Sequence, residues 1–103
     1  MRGKVRHIVM FDFSDLSEEM TAKLVEGFEA LKEVPEVLDF EWGTESNAED
    51  SPMGFTHCFT LTFEDFEART AYLNSKQHRE YEQEVMKHRS QVLVFDYAIK
   101  ITR

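Results

Sequence analysis

Between Phe55 and Phe63 the apolar and polar positions alternate with a period of two. Phe55, His57, Phe59, Leu61 and Phe63 fall on one face, and Thr56, Cys58, Thr60, Thr62 and Glu64 on the other. That is the pattern of a half-buried strand. It sets one histidine inside an apolar stripe, where a polar ring needs a hydrogen-bond partner, a ligand or a reaction. Residues 5–13 alternate in the same way, with Val5, His7, Val9, Phe11 and Phe13 on one face. Ile8 and Met10 lie on the other, so both faces of this strand call for cover. Residues 37–44 predict a further strand, with Leu38, Phe40 and Trp42 opposed to Val37, Asp39 and Glu41. Residues 92–101 predict the last, through Leu93, Phe95, Tyr97, Ile99 and Ile101.

The period changes to that of a helix after Ser17, an N-cap followed by Glu18 and Glu19 in the first turn. Met20, Leu24, Phe28 and Leu31 then line one side, Lys23, Glu26, Glu29 and Lys32 the other, and Pro35 ends the run. Residues 47–54 form a polar loop containing Pro52 and Gly54. A short helix is expected over 64–73, broken at Asn74 and Ser75. Ser75 then caps a third helix from Lys76 to about Ser90, with His78, Tyr81, Val85 and His88 on one face. The order is β-α-β-β-α-β, the α+β ferredoxin-like plan of a four-stranded antiparallel sheet with helices on one side. The other side keeps Ile8, Met10 and the odd-numbered residues of the last strand. A second copy of the same sheet would cover it, which predicts a homodimer packed face to face.

One hundred and three residues correspond to a single domain. Twelve basic against twenty acidic residues give a net charge of -8. That excludes the basic face that nucleic acid or an anionic membrane surface requires. Cys58 is the single cysteine and cannot form an internal disulfide, which fits a reducing compartment, and it reads as a packed strand residue. There is no apolar leader and no run of membrane-spanning length, so a cytoplasmic protein is expected.

Five pieces in order then resemble the stress-responsive dimeric α/β-barrel (Dabb) family over essentially the whole chain. They are His7-Ile8-Val9-Met10-Phe11, Phe40-Glu41-Trp42-Gly43, Gly54-Phe55-Thr56-His57 with Leu61-Thr62-Phe63-Glu64, Tyr72-Leu73 with His78 six residues on, and Phe95-Asp96-Tyr97. The resemblance implies a homodimeric barrel with a cavity between sheet and helices in each subunit. It does not imply one activity. Its olivetolic acid cyclase-type members close a linear polyketide by aldol condensation without a cofactor. In them a tyrosine and a histidine matching Tyr72 and His78 form the catalytic pair, and histidines match His7 and His57. Two departures stand out. No tyrosine occurs between Ser17 and Val34 where such enzymes offer one to the substrate, and Asn74-Ser75 replaces a frequent His-Pro.

At the third position of a capped helix, His78 would sit near unpaired backbone N–H groups, which favour a neutral, proton-accepting ring. Tyr72 is near enough along the chain to hydrogen-bond it and polarise a developing enolate. The expected ligand pocket is closed and lined by Val9, Phe11, Phe28, His57, Phe59, Val92 and Val94 beside that pair. His7 and His57 form no metal site: with strand midpoints paired, His7 faces about Leu61, roughly 13 Å along the strand from His57. No metal ligands are expected among Asp12, Asp15, Glu64 and Asp65. His88 reads as a partly exposed helix residue, Trp42 as core, and Asp96 as a hydrogen-bonding group at the dimer interface. The readings are a homodimer binding a small hydrophobic or polyketide-like ligand, a cofactor-independent cyclase, or a heme- or oxygen-handling barrel.

Overall fold

A computed structural model describes residues 3–46, 52–88 and 91–101. The strands are β1 (Val5–Phe11), β2 (Asp39–Thr44), β3 (His57–Phe63) and β4 (Val92–Ala98), in the sheet order β2-β3-β1-β4 with every neighbour antiparallel. The helices are α1 (Glu18–Glu29), α2 (Phe66–Leu73) and α3 (Lys76–Val85), and a 3-10 turn over Ala30–Glu33 continues α1. This is the ferredoxin-like α+β fold. No described helix is long and apolar enough to cross a membrane.

The strand register follows from the alternation. Val5, His7, Val9 and Phe11 pair with Phe63, Leu61, Phe59 and His57 on one side, and with Ala98, Asp96, Val94 and Val92 on the other. All of these share the face under the helices, because paired residues point the same way. Phe40 and Trp42 join them opposite Leu61 and Phe59. His7 does face Leu61, four places from His57.

Caps set the helix starts. The Ser17 and Ser75 hydroxyls accept from the N–H groups of Met20 and His78, as their positions predict. The α2 cap is Asp65, whose carboxylate accepts from Ala68 at 2.8 Å, so α2 starts two residues later than expected. α3 stops at Val85 and residues 86–88 form a turn where helix was expected, because Met86 already closes the last turn; residues 89 and 90 lie outside the described residues, as does most of the polar loop, 47–51. β4 ends at Ala98 because its partner β1 begins at Val5, leaving Ile101 exposed beyond the sheet.

The core is a block of aromatic rings between sheet and helices. Phe28 of α1 stacks flat on Phe59 at 4.2 Å, and Phe11, Phe40 and Tyr81 meet Phe28 at 5.1–6.1 Å. Stacked rings of this kind add about 0.5–1.5 kcal/mol each beyond their buried area. α1 and α3 approach closely at Gly27, where a Cβ would come within 3.1 Å of the Tyr81 ring. The Tyr81 hydroxyl bonds the Leu24 carbonyl at 2.8 Å and locks the two helices together. On the far face of the sheet Ile8 and Met10 are half-buried, while Leu93, Phe95 and Tyr97 are exposed, Phe95 by 58%.

Candidate functional site

The helices cover β3 and β1 better than the edge strand β4, where inward-facing Val94 remains exposed. The uncovered space is a cavity of about 290 Å³. Val9, Phe11, Val92 and Val94 form its floor, with His7 and Asp96 at one end. Tyr81, Val85 and Met86 of the α3 segment form its roof, together with His78 and Glu82. Phe28, Leu31 and Leu73 close the sides. Exposed Val94 and Met86 mark its open edge.

His78 reaches this space because Asn74 and Ser75 turn the chain sharply between α2 and α3. The Ser75 hydroxyl donates to the Tyr72 carbonyl at 2.7 Å while it caps α3. The His78 Nδ1 lies 3.0 Å from the Leu73 carbonyl. A carbonyl only accepts, so Nδ1 carries the proton and Nε2 keeps its lone pair. Burial lowers the pKa of His78, and the nearby charge of His7 acts in the same direction, against opposing contributions from Glu82 and the Leu73 hydrogen bond. The neutral ring expected from the helix end is present, but burial is the leading cause. His78 is therefore a fixed, uncharged proton acceptor on an apolar cavity.

Tyr72 is fully buried between histidines: its ring is 4.9 Å from that of His78 and 5.9 Å from that of His7. Burial raises its pKa, so the phenol keeps its proton. The expected hydrogen bond to His78 is not formed, because ring contact brings the two side chains together without bringing hydroxyl to nitrogen. Among the described residues the Tyr72 hydroxyl has no hydrogen-bond partner. Leaving such a donor unmet costs about 1–3 kcal/mol.

Val9, Phe11, Phe28, His78, Val92 and Val94 line the cavity as expected, whereas His57, Phe59 and Tyr72 do not. Phe59 is consumed by the aromatic stack and Tyr72 is sealed behind His78. His57 points to the correct face but lies on β3, whereas the cavity floor is formed by β1 and β4. It lines a shallow groove with Leu16, Val25 and Trp42, and its ring is stacked 6.2 Å from that of Trp42. Thr56 holds it there: the Thr56 hydroxyl bonds the Phe11 carbonyl, accepts from Phe13 N–H, and lies 2.8 Å from His57 Nδ1. Burial lowers the His57 pKa as well.

Two other expectations are corrected. Trp42 is not core: it is 40% exposed and its indole N–H donates to Glu29 at 3.1 Å. Asp96 turns inward under the helices: one carboxylate oxygen lies 2.6 Å from His7 Nδ1 and the other 2.6 Å from Arg69. Its even number places it inward beside Val92 and Val94, a parity visible in the sequence. His88 is partly exposed, as read, and sits 3.2 Å from Glu84. Arg69, Tyr81 and Glu82 were not anticipated at the site. Tyr81 shares the helical stripe of His78 and Val85, whereas no local pattern marks Arg69.

The comparisons agree with this architecture. A stress-response A/B barrel domain-containing protein of Arabidopsis thaliana, HS1, is 33% identical over 98 residues, covering 93% of this chain and 90% of its own. The crystal structure of At3g17210, also from Arabidopsis thaliana, superposes with a TM-score of 0.88 at 30% identity, over 96% of this chain and 98% of that one. A hydroxynitrile lyase from Passiflora edulis superposes with a TM-score of 0.89 at 28% identity, over 98% and 97% of the two chains. The stress responsive A/B barrel domain model, Dabb, matches residues 5–99, and the chain belongs to that family.

Proposed function

We propose that the protein is a homodimer in which each subunit binds a compact, mostly apolar molecule in the cavity under α3, with His78 as its proton acceptor. The single observation that carries this reading is the fixed tautomer of His78, which leaves a neutral Nε2 on a half-buried ring that lines the cavity. A cavity of about 290 Å³ is at the small end of the range for ligand sites, roughly 300–1,000 Å³. It suits one aromatic or branched aliphatic unit better than an extended polyketide.

The chemistry this supports is the cofactor-free making or breaking of a carbon–carbon bond beside a carbonyl. In the breaking direction, Nε2 takes the proton of a ligand hydroxyl. The O–H electron pair becomes the carbonyl π bond, and the neighbouring C–C bond breaks. Its electrons leave on a stabilised carbanion, cyanide or an enolate, to which the imidazolium returns the proton. Run backward, the same steps are an aldol-type addition, the reaction a cyclase performs within one chain. The fold neighbour named as a hydroxynitrile lyase supports the breaking direction. Tyr72 is the second residue of this reading: its unspent hydroxyl is available to a ligand oxygen that reaches behind His78.

Incubation with small cyanohydrins and β-hydroxy ketones, with release of cyanide or carbonyl product as the readout, tests the reaction. Wild type turns over at least one class and His78→Ala does not. Equal rates in the two proteins would contradict the role given to His78. Saturable ligand binding without turnover would leave a binder and remove the lyase.

The homodimer rests on Leu93, Phe95 and Tyr97, which are exposed beside half-buried Ile8 and Met10 on the bare face of the sheet. Sedimentation at micromolar concentration is expected to give a dimer for wild type and a monomer for Phe95→Glu. A wild-type monomer would contradict it.

A further inference from the structure

The cavity carries a second set of polar groups close to His78, on the other side of the Tyr72 ring, and the reaction proposed above does not use it. There Asp96 is held from two sides: Oδ1 by His7 and Oδ2 by Arg69, each at 2.6 Å. His7 is nearly fully buried and lines the cavity together with Asp96. A carboxylate accepts, so Nδ1 of His7 is the donor in this contact, and Nε2 is the ring's remaining hydrogen-bonding atom. The arrangement costs the protein something. Among the described residues the buried Nε of Arg69 has no hydrogen-bond partner, while its terminal nitrogen is directed at Asp96. Arg69 is itself steadied by the Phe66 ring, 5.1 Å from the centre of its guanidinium.

We infer that Arg69 is a positioning residue: it fixes Asp96, Asp96 fixes His7, and His7 presents a second polar pole to the cavity, so the ligand carries two polar groups. This rests on the cavity reading above. One group of the ligand meets His78 Nε2 and the other meets His7 Nε2, with an apolar body against Val9 and Phe28. A vicinal diol, a hydroxy-nitrile or a hydroxy-ketone has this form, and a simple alcohol does not. Arg69 suits the task because a planar guanidinium constrains a carboxylate's orientation, which a point charge does less well.

Two unreactive probes of nearly equal size separate the cases: 1-phenylethanol, with one hydroxyl, and 1-phenylethane-1,2-diol, with two. Wild type is expected to bind the diol about tenfold more tightly, as one added hydrogen bond allows. Arg69→Met and His7→Phe bring that ratio to about one, and Arg69→Met, whose side chain does not line the cavity, leaves the affinity for 1-phenylethanol within about threefold. Arg69→Lys restores part of the preference. The far-downfield Nδ1 proton signal of His7 supplies a readout without ligand, and it is expected to move in Arg69→Met. An unchanged signal or an unchanged ratio in Arg69→Met overturns the role of Arg69. Equal binding of the two probes by wild type overturns the second pole alone. Binding of neither removes the cavity reading and the second pole with it.

Discussion

His78 and His57 both lie on the helix-covered side of the sheet, and burial lowers the pKa of both. Their surroundings differ in what is left over after packing. At His57 the remaining space is an open surface groove. Thr56 brackets one nitrogen, Trp42 covers a ring face, and Phe13 lies 5.1 Å away. At His78 the helices fall short of the edge strand and leave a cavity, while the hydrogen bond to Leu73 fixes the ring without using its acceptor. A lowered pKa marks burial at either place. What distinguishes the two is enclosure: the space beside His78 is a cavity between sheet and helices, and that beside His57 is open to the surface.

Exchanging each histidine for alanine should break the comparison most sharply. His78→Ala is expected to lose turnover by about 10²–10⁴-fold, the usual contribution of a positioned base. His57→Ala is expected to stay within about threefold of wild type. A comparable loss in His57→Ala would place the chemistry in the wrong half of the layer. Stability should show the opposite asymmetry. Phe28→Ala removes the ring that joins both halves, and is expected to cost about 3–5 kcal/mol in denaturant unfolding. Met86→Ala, at the exposed cavity edge, should cost less than about 1 kcal/mol.

Protonation gives a smaller effect of known sign. Both folded-state pKa values lie below the ordinary 6.5, so the unfolded chain binds more protons as pH falls. The contribution of each neutral ring to stability is therefore complete above about pH 6.5 and is lost below it, toward the depressed folded value. The melting temperature should fall on acidification through that range. His57→Gln and His78→Gln should each flatten the slope, and a slope unchanged in the double variant would contradict the burial of both rings. Tyr72→Phe should have the least effect on folding. Its hydroxyl makes no hydrogen bond among the described residues, so the change in stability is expected within about 0.5 kcal/mol or slightly favourable. Lost turnover with unchanged stability would place the phenol on the ligand; an unchanged rate would leave it as packing behind His78.

Much of the fold was legible from periodicity. Alternation assigned the inward faces of β1, β3 and β4 and even the pairing of His7 with Leu61, and Ser17 and Ser75 announced two helix starts. The site was legible only in part. Alternation says which face a residue occupies but not which strands the helices leave uncovered, so His57 on β3 was expected in a cavity whose floor is β1 and β4, although its register partner Phe11 does line it. Asp96 was expected at an interface although its parity with Val92 and Val94 turns it inward. Arg69 carried no local signal, because its importance comes from a long side chain crossing from α2 to β4, a contact between residues 27 positions apart.

The most direct measurement is the set of imidazole nitrogen shifts during titration with 1-phenylethanol, in protein labelled at histidine. A saturable change at His78 Nε2, with Nδ1 and the His57 ring unmoved, is the predicted result. Changes centred on His57 and the Trp42 indole, or no change at any histidine, would contradict it.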